Sequence, residues 1–383
     1  MKIIVGAVIS RYPYVPGIAW TWIHRILGLQ KLGHEVFVIE EIAPRWCVDA
    51  YGRTCDFEHS INRKLFQDTM QRFGLMDRAC QIYNHGVDTF GLSLASLVAL
   101  SKEADLIINM SGHVSTECVL SNIKRRVYVD EDPVYTQLWH AEYNEDLNFK
   151  MHDVFFSVGL NIGTAYTPIP DCGVEWHHFL PPVMLEYWPL HIEPSCERFT
   201  TIASWSQFGD LRYRGAWYRS KAEEFKRFVQ LPKRVTQELE IALKSDHKDA
   251  GIRLLRKNGW ILSEATQIAD LSSYQKYIVQ SRAEIGIAKN AYVKGCSGWF
   301  SDRSTHYLAS GKPVLAQSTG IERWLPTGHG LLTFRNMEEA VAGVERINQN
   351  YVAHCRAARE FAEEYLDYRK VLPKMLELSW AKA

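Results

Sequence analysis

The sequence predicts an α/β protein with two doubly wound parallel sheets. Short apolar runs alternate with helical stretches from residue 3 to residue 157, which is the pattern of strand–helix–strand units. Residues 181–198 hold four prolines and no sustained period, which indicates a linker, and the alternation then restarts. Such sheets bind ligands at the carboxyl ends of their strands, so we expect the active site in the cleft between two domains.

The first domain is predicted to span residues 1–185. The helix over 18–32 has apolar residues at helical spacing and stops before Gly33, a residue typical of helix ends. A further helix is predicted over 88–101. The strands are short apolar runs, and we expect them at 3–9, 35–39, 105–110, 126–130 and 153–157.

The linker is predicted over 186–198 and the second domain over 199–365. Its strands follow the same rule and are expected at 200–205, 239–243, 260–262 and 284–288. Its helices are expected near 220–230, 248–258 and 271–280. Two long amphipathic helices close the chain, near 336–349 and 351–378, and we expect residues 366–383 to pack back on the first domain.

Composition narrows the class of protein. The chain has 383 residues with 44 basic and 44 acidic side chains, so we expect no nucleic-acid partner and no anionic membrane surface as a partner. Its eight cysteines are scattered without a C-x-x-C pair, which favours reduced thiols over disulfides or a zinc site. No apolar stretch approaches the roughly 20 residues of a membrane span. We therefore predict a cytoplasmic protein without a metal site or a cofactor, and leave its oligomeric state open.

Residues 296–334 contain a potential anion site. Ser301 is a good N-cap for a short helix, which Gly311 and Pro313 end, and 313–316 is an apolar strand. The first turn of such a helix has unpaired backbone N–H groups and the positive end of the helix dipole. A helix terminus of this kind binds phosphate, so we expect a nucleotide-phosphate ligand here.

Three segments of this region resemble the donor-binding part of glycosyltransferases of the GT-B fold: 307–316 (YLASGKPVLA), 319–322 (TGIE) and 328–332 (GHGLL). A bacterial subgroup similar to glycosyltransferase families 1 and 4 has further residues in common with this chain. These are Lys289, 292–293, 298–301, Arg303, 129–133, 136–137 and 173–176. Retaining members commonly have two glutamates eight positions apart, where this chain has Gly298 and His306, so the motif does not give the stereochemistry.

The resemblance implies two Rossmann-like domains, the first binding an acceptor and the second a nucleotide sugar. It implies a hexosyltransferase that moves a sugar from a UDP- or dTDP-sugar to a small-molecule or glycan acceptor without a metal. Two alternatives stay open: a nucleotide-sugar 2-epimerase or hydrolase, and a non-catalytic partner protein of the same fold. The chain lacks G-x-G-x-x-G after its first strand, which argues against a dehydrogenase despite Glu40 and Glu41.

Arg303 and Lys289 are the expected diphosphate-binding cations. A guanidinium can bind phosphate oxygens bidentately, and a cation stabilises the charge of the leaving group. The alternative for Arg303 is a solvated charge or an ion pair with Asp302 or Glu322. The other expected donor-binding residues follow strand ends or could stack on the nucleotide, although capping, turn or core roles are open for them: Ser204, Trp205, Trp260, Gly298, Ser301, Ser304, Thr319 and Gly320.

The catalytic and acceptor residues are expected in the first domain. Inverting transfer needs a general base near the acceptor hydroxyl. The candidates follow strand ends and are Asp130, Asp132 and His113, with a turn role open for Asp132 and an ordinary loop role for His113. The loop 11–17 after the first strand is expected to meet the acceptor. Its named contact residues are Arg11, Tyr12 and Gly17.

Overall fold

The computed structural model describes residues 1–244 and 249–381, without the side chain of Lys244. An eight-stranded sheet forms the first half of the molecule, in the order β4-β3-β2-β1-β5-β6-β7-β8. All neighbouring strands are parallel except the antiparallel pair β3–β4. The strands are Lys2–Gly6 (β1), Glu35–Ile42 (β2), Ala79–Tyr83 (β3), Asp88–Gly91 (β4), Leu106–Met110 (β5), Arg126–Asp130 (β6), Val154–Ser157 (β7) and Trp176–His178 (β8).

The helices of the first half cover both faces of this sheet. They are Pro16–Lys31 (α1), Ile61–Arg72 (α2), Leu94–Glu103 (α3), Glu117–Leu120 (α4) and Tyr135–Ala141 (α5). Helix α1 begins with Pro16, whose fixed φ suits a first helical position, and ends before Gly33 at φ +87°. Its central residues are buried on all sides, as expected of a helix that lies between other elements.

Two predictions for the first half are wrong in detail. The helix expected over 88–101 begins only at Leu94, where Ser93 accepts a hydrogen bond from the Ser96 N–H at 3.1 Å. Residues Asp88–Gly91 form an edge strand instead, paired with β3. The strand expected over 3–9 leaves the sheet after Gly6. Strands β3 and β8 were not predicted, because β3 contains the polar Gln81 and β8 is only three residues long.

A second, six-stranded parallel sheet has the order β13-β12-β9-β14-β15-β16, and β10 and β11 form a separate antiparallel hairpin. In both sheets the order of strands reverses beside the first strand, which creates a crevice at the carboxyl ends. The strands are Arg198–Ser204 (β9), Leu211–Tyr213 (β10), Ala216–Tyr218 (β11), Glu238–Lys244 (β12), Ile261–Glu264 (β13), Ala283–Gly286 (β14), Val314–Gln317 (β15) and Leu331–Phe334 (β16).

The helices of the second half are Lys221–Arg227 (α6), Ala250–Lys257 (α7), Leu271–Val279 (α8), Asn290–Lys294 (α9), Asp302–Ala309 (α10), Met337–Gln349 (α11) and Tyr351–Phe361 (α12); Tyr368–Trp380 (α13) follows. The single helix expected over 351–378 is broken, because Asp367 is extended at ψ 126° and caps the next helix through the Arg369 N–H at 2.9 Å. Residue 248 of one predicted helix and residues 382–383 of the last segment lie outside the described residues. The predicted domain boundaries stay predictions.

The chain passes between the two halves at two places that lie side by side. The Val183 N–H donates to the Leu366 carbonyl at 2.8 Å, and the Tyr368 N–H donates to the Val183 carbonyl at 3.2 Å. Helix α13 then packs on α1, where a Cβ at Gly28 would meet the Leu372 side chain at 2.8 Å. The last helix therefore lies against the first half.

All eight cysteines are free thiols. Over residues 1–244 and 249–381, none of the helices combines the length and apolar character that a membrane crossing requires. The cytoplasmic location stays a prediction.

Candidate functional site

A cavity of about 560 Å³ lies between the two halves, at the carboxyl ends of both sheets. Residues that follow β1, β2 and β6 line it from the first half. Residues that follow β9, β13 and β14, together with the start of α10, line it from the second half. Its position and size suit a ligand of nucleotide dimensions.

The loop after β1 is fixed by a buried carboxylate. Glu40 Oε1 accepts the backbone N–H groups of Ile9 and Ser10 at 2.8 Å and of Arg11 at 2.9 Å. The Asn62 side chain donates to the Ser10 carbonyl at 2.9 Å. Glu40 therefore holds the loop from inside the sheet, which is a different role from the ribose contact of a dinucleotide-binding fold.

Arg11, Tyr12 and Gly17, the residues expected to meet the acceptor, all line the cavity. Arg11 and Tyr12 belong to the loop whose backbone is fixed by the hydrogen bonds to Glu40. Gly17 lies where the halves approach, since a Cβ there would be 3.1 Å from the Tyr274 hydroxyl of the second half. Their binding role stays a prediction.

Arg303 lines the cavity and forms a buried ion pair on its other side. Its Nε donates to Glu284 Oε1 at 2.6 Å and its Nη1 to the Ile202 carbonyl at 2.8 Å. Burial is the largest single cause and lowers the pKa of Arg303, but Glu284, Tyr274 and Tyr307 together outweigh it and the pKa is raised. The partner is thus neither Asp302 nor Glu322. Among the described residues, Nη2 has no hydrogen-bond partner.

Lys289 also lines the cavity, but it makes an ion pair across the two halves. Its Nζ donates to Asp132 Oδ1 at 2.9 Å and to the Tyr292 hydroxyl at 2.8 Å, and that hydroxyl donates to the same Asp132 oxygen at 2.7 Å. Burial is the main cause that lowers the pKa of Lys289. Asp132 thus combines a place in the cavity with a contact to the other half.

Lys221 is a cation of the site that the sequence did not single out. It lies in the first turn of α6, lines the cavity and is 7% exposed. Its ammonium has no hydrogen-bond or ion-pair partner within the described parts of the chain. Burial lowers the pKa of Lys221 well below its usual value, and the charges of Arg303 and Lys289 lower it further. Lys221 is buried by tertiary contacts that the local sequence does not show. From the sequence alone, a lysine at a helix start is expected to be solvated.

The N-terminus of α10 differs from the expected anion site. Ser301 takes the N-cap position and lines the cavity, but its hydroxyl caps no backbone N–H group. The Asp302 carboxylate lies beside this helix end and accepts the Thr21 hydroxyl at 3.0 Å. A negative side chain already balances the helix dipole here, so the positive charge of the cavity comes mainly from side chains.

Glu131 is a cavity carboxylate that the sequence did not single out. Its Oε1 accepts from Arg25 Nη2 at 2.5 Å, and its Oε2 has no partner over residues 1–244 and 249–381. Burial raises the pKa of Glu131 to about 7, although Arg25 favours the ionised form and Asp302 opposes it. A carboxylate with this pKa can accept or release a proton near neutrality.

Two of the three expected catalytic residues lie away from the cavity. Asp130 is fully buried and accepts hydrogen bonds from Thr136 at 2.7 Å, Ser157 at 2.8 Å and Gln137 at 2.9 Å, which assigns it to the sheet. His113 does not line the cavity either. Burial, helped by the charge of Arg11, lowers the pKa of His113 to about 3, which makes it a weak base.

The two tryptophans expected at the donor belong to the core of the second half. Trp205 is 6% exposed and lies against Gly251, while Trp260 is 2% exposed and donates its Nε1–H to the Val229 carbonyl at 3.1 Å. Neither lines the cavity, so neither can stack on a ligand there. Ser204 does line it, with its hydroxyl bonded to Gln207 at 3.0 Å.

Gly298 and Gly320 lie where the halves touch rather than on the cavity. A Cβ at Gly298 would be 2.8 Å from the Asn161 backbone nitrogen, and a Cβ at Gly320 would be 2.7 Å from the Asn161 amide. Thr319 bonds the Trp299 carbonyl at 2.7 Å in the same region. Ser304 is buried in α10. None of these four residues lines the cavity.

Comparison of the structure with solved structures identifies the architecture. An α-glucosyltransferase in complex with UDP-glucose and DNA containing an abasic site superposes with a TM-score of 0.61, at 12% identity over 99% of both chains. The Anabaena protein HepE in complex with UDP and glucose gives 0.59, at 11% identity over 98% of this chain and 99% of HepE. Sucrose-phosphate synthase from Thermosynechococcus elongatus gives 0.55, at 10% identity over 99% and 98%.

The fold is that of the GT-B glycosyltransferases, as predicted. The sequence matches no protein-family model and no curated protein. The expectation of no nucleic-acid partner is contradicted, because α-glucosyltransferases of this fold are found in complexes with DNA. An overall charge of zero averages over the whole surface, so it does not exclude such a partner.

Proposed function

We propose that this protein is a glycosyltransferase that moves a hexosyl group from a UDP-sugar to a hydroxyl group of an acceptor. The observation that carries the proposal is the set of three cations, Lys221, Lys289 and Arg303, on one wall of a GT-B cleft. Lys221 has no anionic partner in the described chain although it is buried, so a bound anion would remove an unfavourable charge. The similarity to HepE, bound to UDP and glucose, supports UDP as the nucleotide.

The three cations would hold the diphosphate. In the reaction the bond between the anomeric carbon of the sugar and the diphosphate oxygen breaks, and a bond from that carbon to the acceptor oxygen forms. Negative charge develops on the departing UDP, and fixed cations in a partly dry cleft stabilise it. Lys289 would exchange its Asp132 contact, now at 2.9 Å, for a phosphate oxygen.

Glu131 would take the proton of the acceptor hydroxyl. Its free Oε2 belongs to a cavity residue of the first half, where the acceptor is expected, and its pKa of about 7 suits a base at neutral pH. Asp132 is the weaker candidate, because the hydrogen bonds from Lys289 and Tyr292 both occupy its Oδ1.

We propose that transfer needs no metal ion. The cations already supply the charge that a divalent ion would bring to the diphosphate. Groups of three or more His, Cys, Asp or Glu with metal-binding geometry do not occur over residues 1–244 and 249–381. Activity should therefore persist in excess EDTA, and a strict requirement for added Mg²⁺ or Mn²⁺ would contradict this part of the proposal.

Calorimetric titration with UDP, GDP and dTDP tests the donor site, and product analysis with UDP-sugars tests the reaction. We expect UDP to bind and Lys221→Met to weaken it by about tenfold or more, the loss expected for a hydrogen bond to a charged group. Lys226→Met, on the same helix but exposed, is the matched control. Failure of all three nucleotides to bind would overturn the proposal, and an isomerised UDP-sugar formed without acceptor would assign the site to an epimerase.

A further inference from the structure

A second cationic group lies on the opposite wall of the cavity, in the first half. Arg11 follows β1 and Arg45 follows β2, and both line the cavity with Tyr12 and Trp46. The Arg11 guanidinium carbon lies 5.1 Å from the centre of the Trp46 ring, and that of Arg45 lies 5.9 Å from the same ring. Tyr12 contacts Trp46 edge-on at 5.3 Å. Two cations thus share one aromatic support.

Neither arginine forms an ion pair within the described residues, in contrast to the other arginines around the cleft. Arg303 pairs with Glu284, and Arg25 pairs with Glu131. The Glu40 carboxylate lies beneath the Arg11 backbone, but its oxygens already accept backbone N–H groups and the Ser10 hydroxyl. Arg11 Nε is buried and has no hydrogen-bond partner over residues 1–244 and 249–381. Both guanidinium groups therefore line the cavity without an ion-pair partner in the described part of the chain.

The cavity as a whole carries an excess of positive charge that the chain does not. Five cationic side chains and three carboxylates line it, while the complete sequence has equal numbers of both. The three cations of the second half are matched to a diphosphate. Arg11 and Arg45 belong to the first half, and Glu40 fixes the backbone of the loop that holds Arg11. Because they lie on the other half from the three cations, they can bind an anion other than the diphosphate.

We propose that the acceptor carries a phosphate group, which Arg11 and Arg45 bind while its sugar or base lies on Trp46. The inference rests on the proposed function, because it assumes that the first half binds the acceptor. Guanidinium groups bind phosphate oxygens bidentately, and aromatic faces suit sugar rings and bases. The phosphate is either that of a phosphorylated sugar or that of a nucleic-acid strand, and the recognition chemistry is the same for both.

Binding measurements in the presence of saturating UDP test this site. The probes are glucose 6-phosphate, glucose and a short DNA oligonucleotide, titrated into wild type, Arg45→Gln and Arg11→Gln. We expect at least one phosphate-bearing probe to bind about tenfold or more tightly than glucose, and each variant to remove that preference. Arg78→Gln, an exposed arginine of the same half outside the cavity, is the matched control and should keep it.

The outcomes separate the sources and the proposals. Arginine-dependent binding of glucose 6-phosphate assigns the phosphate to a sugar, and arginine-dependent binding of the oligonucleotide alone assigns it to a nucleic-acid strand. Equal affinity for glucose and both phosphate probes, or a preference that survives both variants, overturns the inference. If UDP fails to bind the wild type, the proposed function fails, and the same titrations without UDP still decide whether Arg11 and Arg45 bind phosphate.

Discussion

The Lys289 ammonium lies 2.9 Å from Asp132 Oδ1, and this contact joins the second half of the molecule to the first across the cavity. Both side chains are largely shielded, with 10% and 28% of their surfaces exposed. In the proposed donor site, a ligand diphosphate and Asp132 would compete for the same cation. Nucleotide affinity would then be coupled to the contact between the halves through this one lysine.

We expect Asp132→Asn to bind UDP a few-fold more tightly than wild type, because Lys289 then loses its competing anion. Transfer should become slower, since in wild type Asp132 replaces UDP as the partner of Lys289 and so helps UDP to leave, and the variant lacks this carboxylate. Titration calorimetry and steady-state rates measure the two effects. Asp210→Asn, which removes an exposed carboxylate near Arg219, is the control. Weaker UDP binding by Asp132→Asn would show that Asp132 helps to hold the donor instead.

Lys221→Met should raise the thermal midpoint of the ligand-free protein by a few degrees. The lysine is buried without a counter-charge, so its pKa is lowered and the unfolded chain binds the proton more strongly. The stability cost is present below the folded pKa and fades as the pH rises towards 10.5. The same variant should lose most of the stabilisation that UDP gives wild type.

Thermal unfolding with and without UDP checks both parts, with Lys226→Met as control. A lower midpoint for ligand-free Lys221→Met would mean that Lys221 has a structural role.

Glu131→Gln should lower the rate of transfer by about 10²–10⁴ if Glu131 is the base. Burial raises the pKa of this group from 4.5 to about 7, so the protonated acid prevails below that pH and the base forms above it. The wild-type rate should therefore rise through about pH 7, and the variant should lose this limb. Glu145→Gln, an exposed change in the same half, should keep it.

The UDP affinity of Glu131→Gln shows whether the variant is folded despite the loss of the Arg25 partner. An unchanged pH profile in a variant that binds UDP normally would assign Glu131 to the ion pair alone.

Gly298→Ala should destabilise the protein by about 3 kcal/mol, as a sum of backbone strain and overpacking. Gly298 has φ +67°, and a Cβ there would approach the Asn161 nitrogen to 2.8 Å. Gly173→Ala is the matched control, because Gly173 has φ +71° with open space around it, and we expect it to cost about 1 kcal/mol. Chemical denaturation measures both. Equal losses would show that the contact between the halves adds nothing.

Sequence patterns predicted the strands well where a continuous apolar run marks a buried strand. The continuous apolar run within Arg126–Asp130 coincides with β6, because a strand of a parallel sheet is buried on both faces. The break at Asp367 was not predicted, because residues 351–378 were interpreted as one amphipathic helix; Pro373 signals a break in that range, but it lies inside α13 and not at Asp367. There the chain turns to cross between the halves, and tertiary contacts override the local preference.

Fewer of the site residues could be predicted from the sequence, because the site depends on which charged side chains of the two halves lie close together. Arg303 and Lys289 were expected and do line the cavity. Lys221 and Glu131 were not, since a lysine at a helix start and a glutamate after a strand look like solvated surface residues. Trp260 was expected at the nucleotide because it begins a strand, but its indole points into the core of the second half.

The two crossings of the chain at Val183 and Asp367 limit how the cleft can open. Because these segments are hydrogen-bonded to each other, a bend of one requires a bend of the other. Any opening of the cleft by rotation of the two halves must therefore move both crossings together, as one hinge.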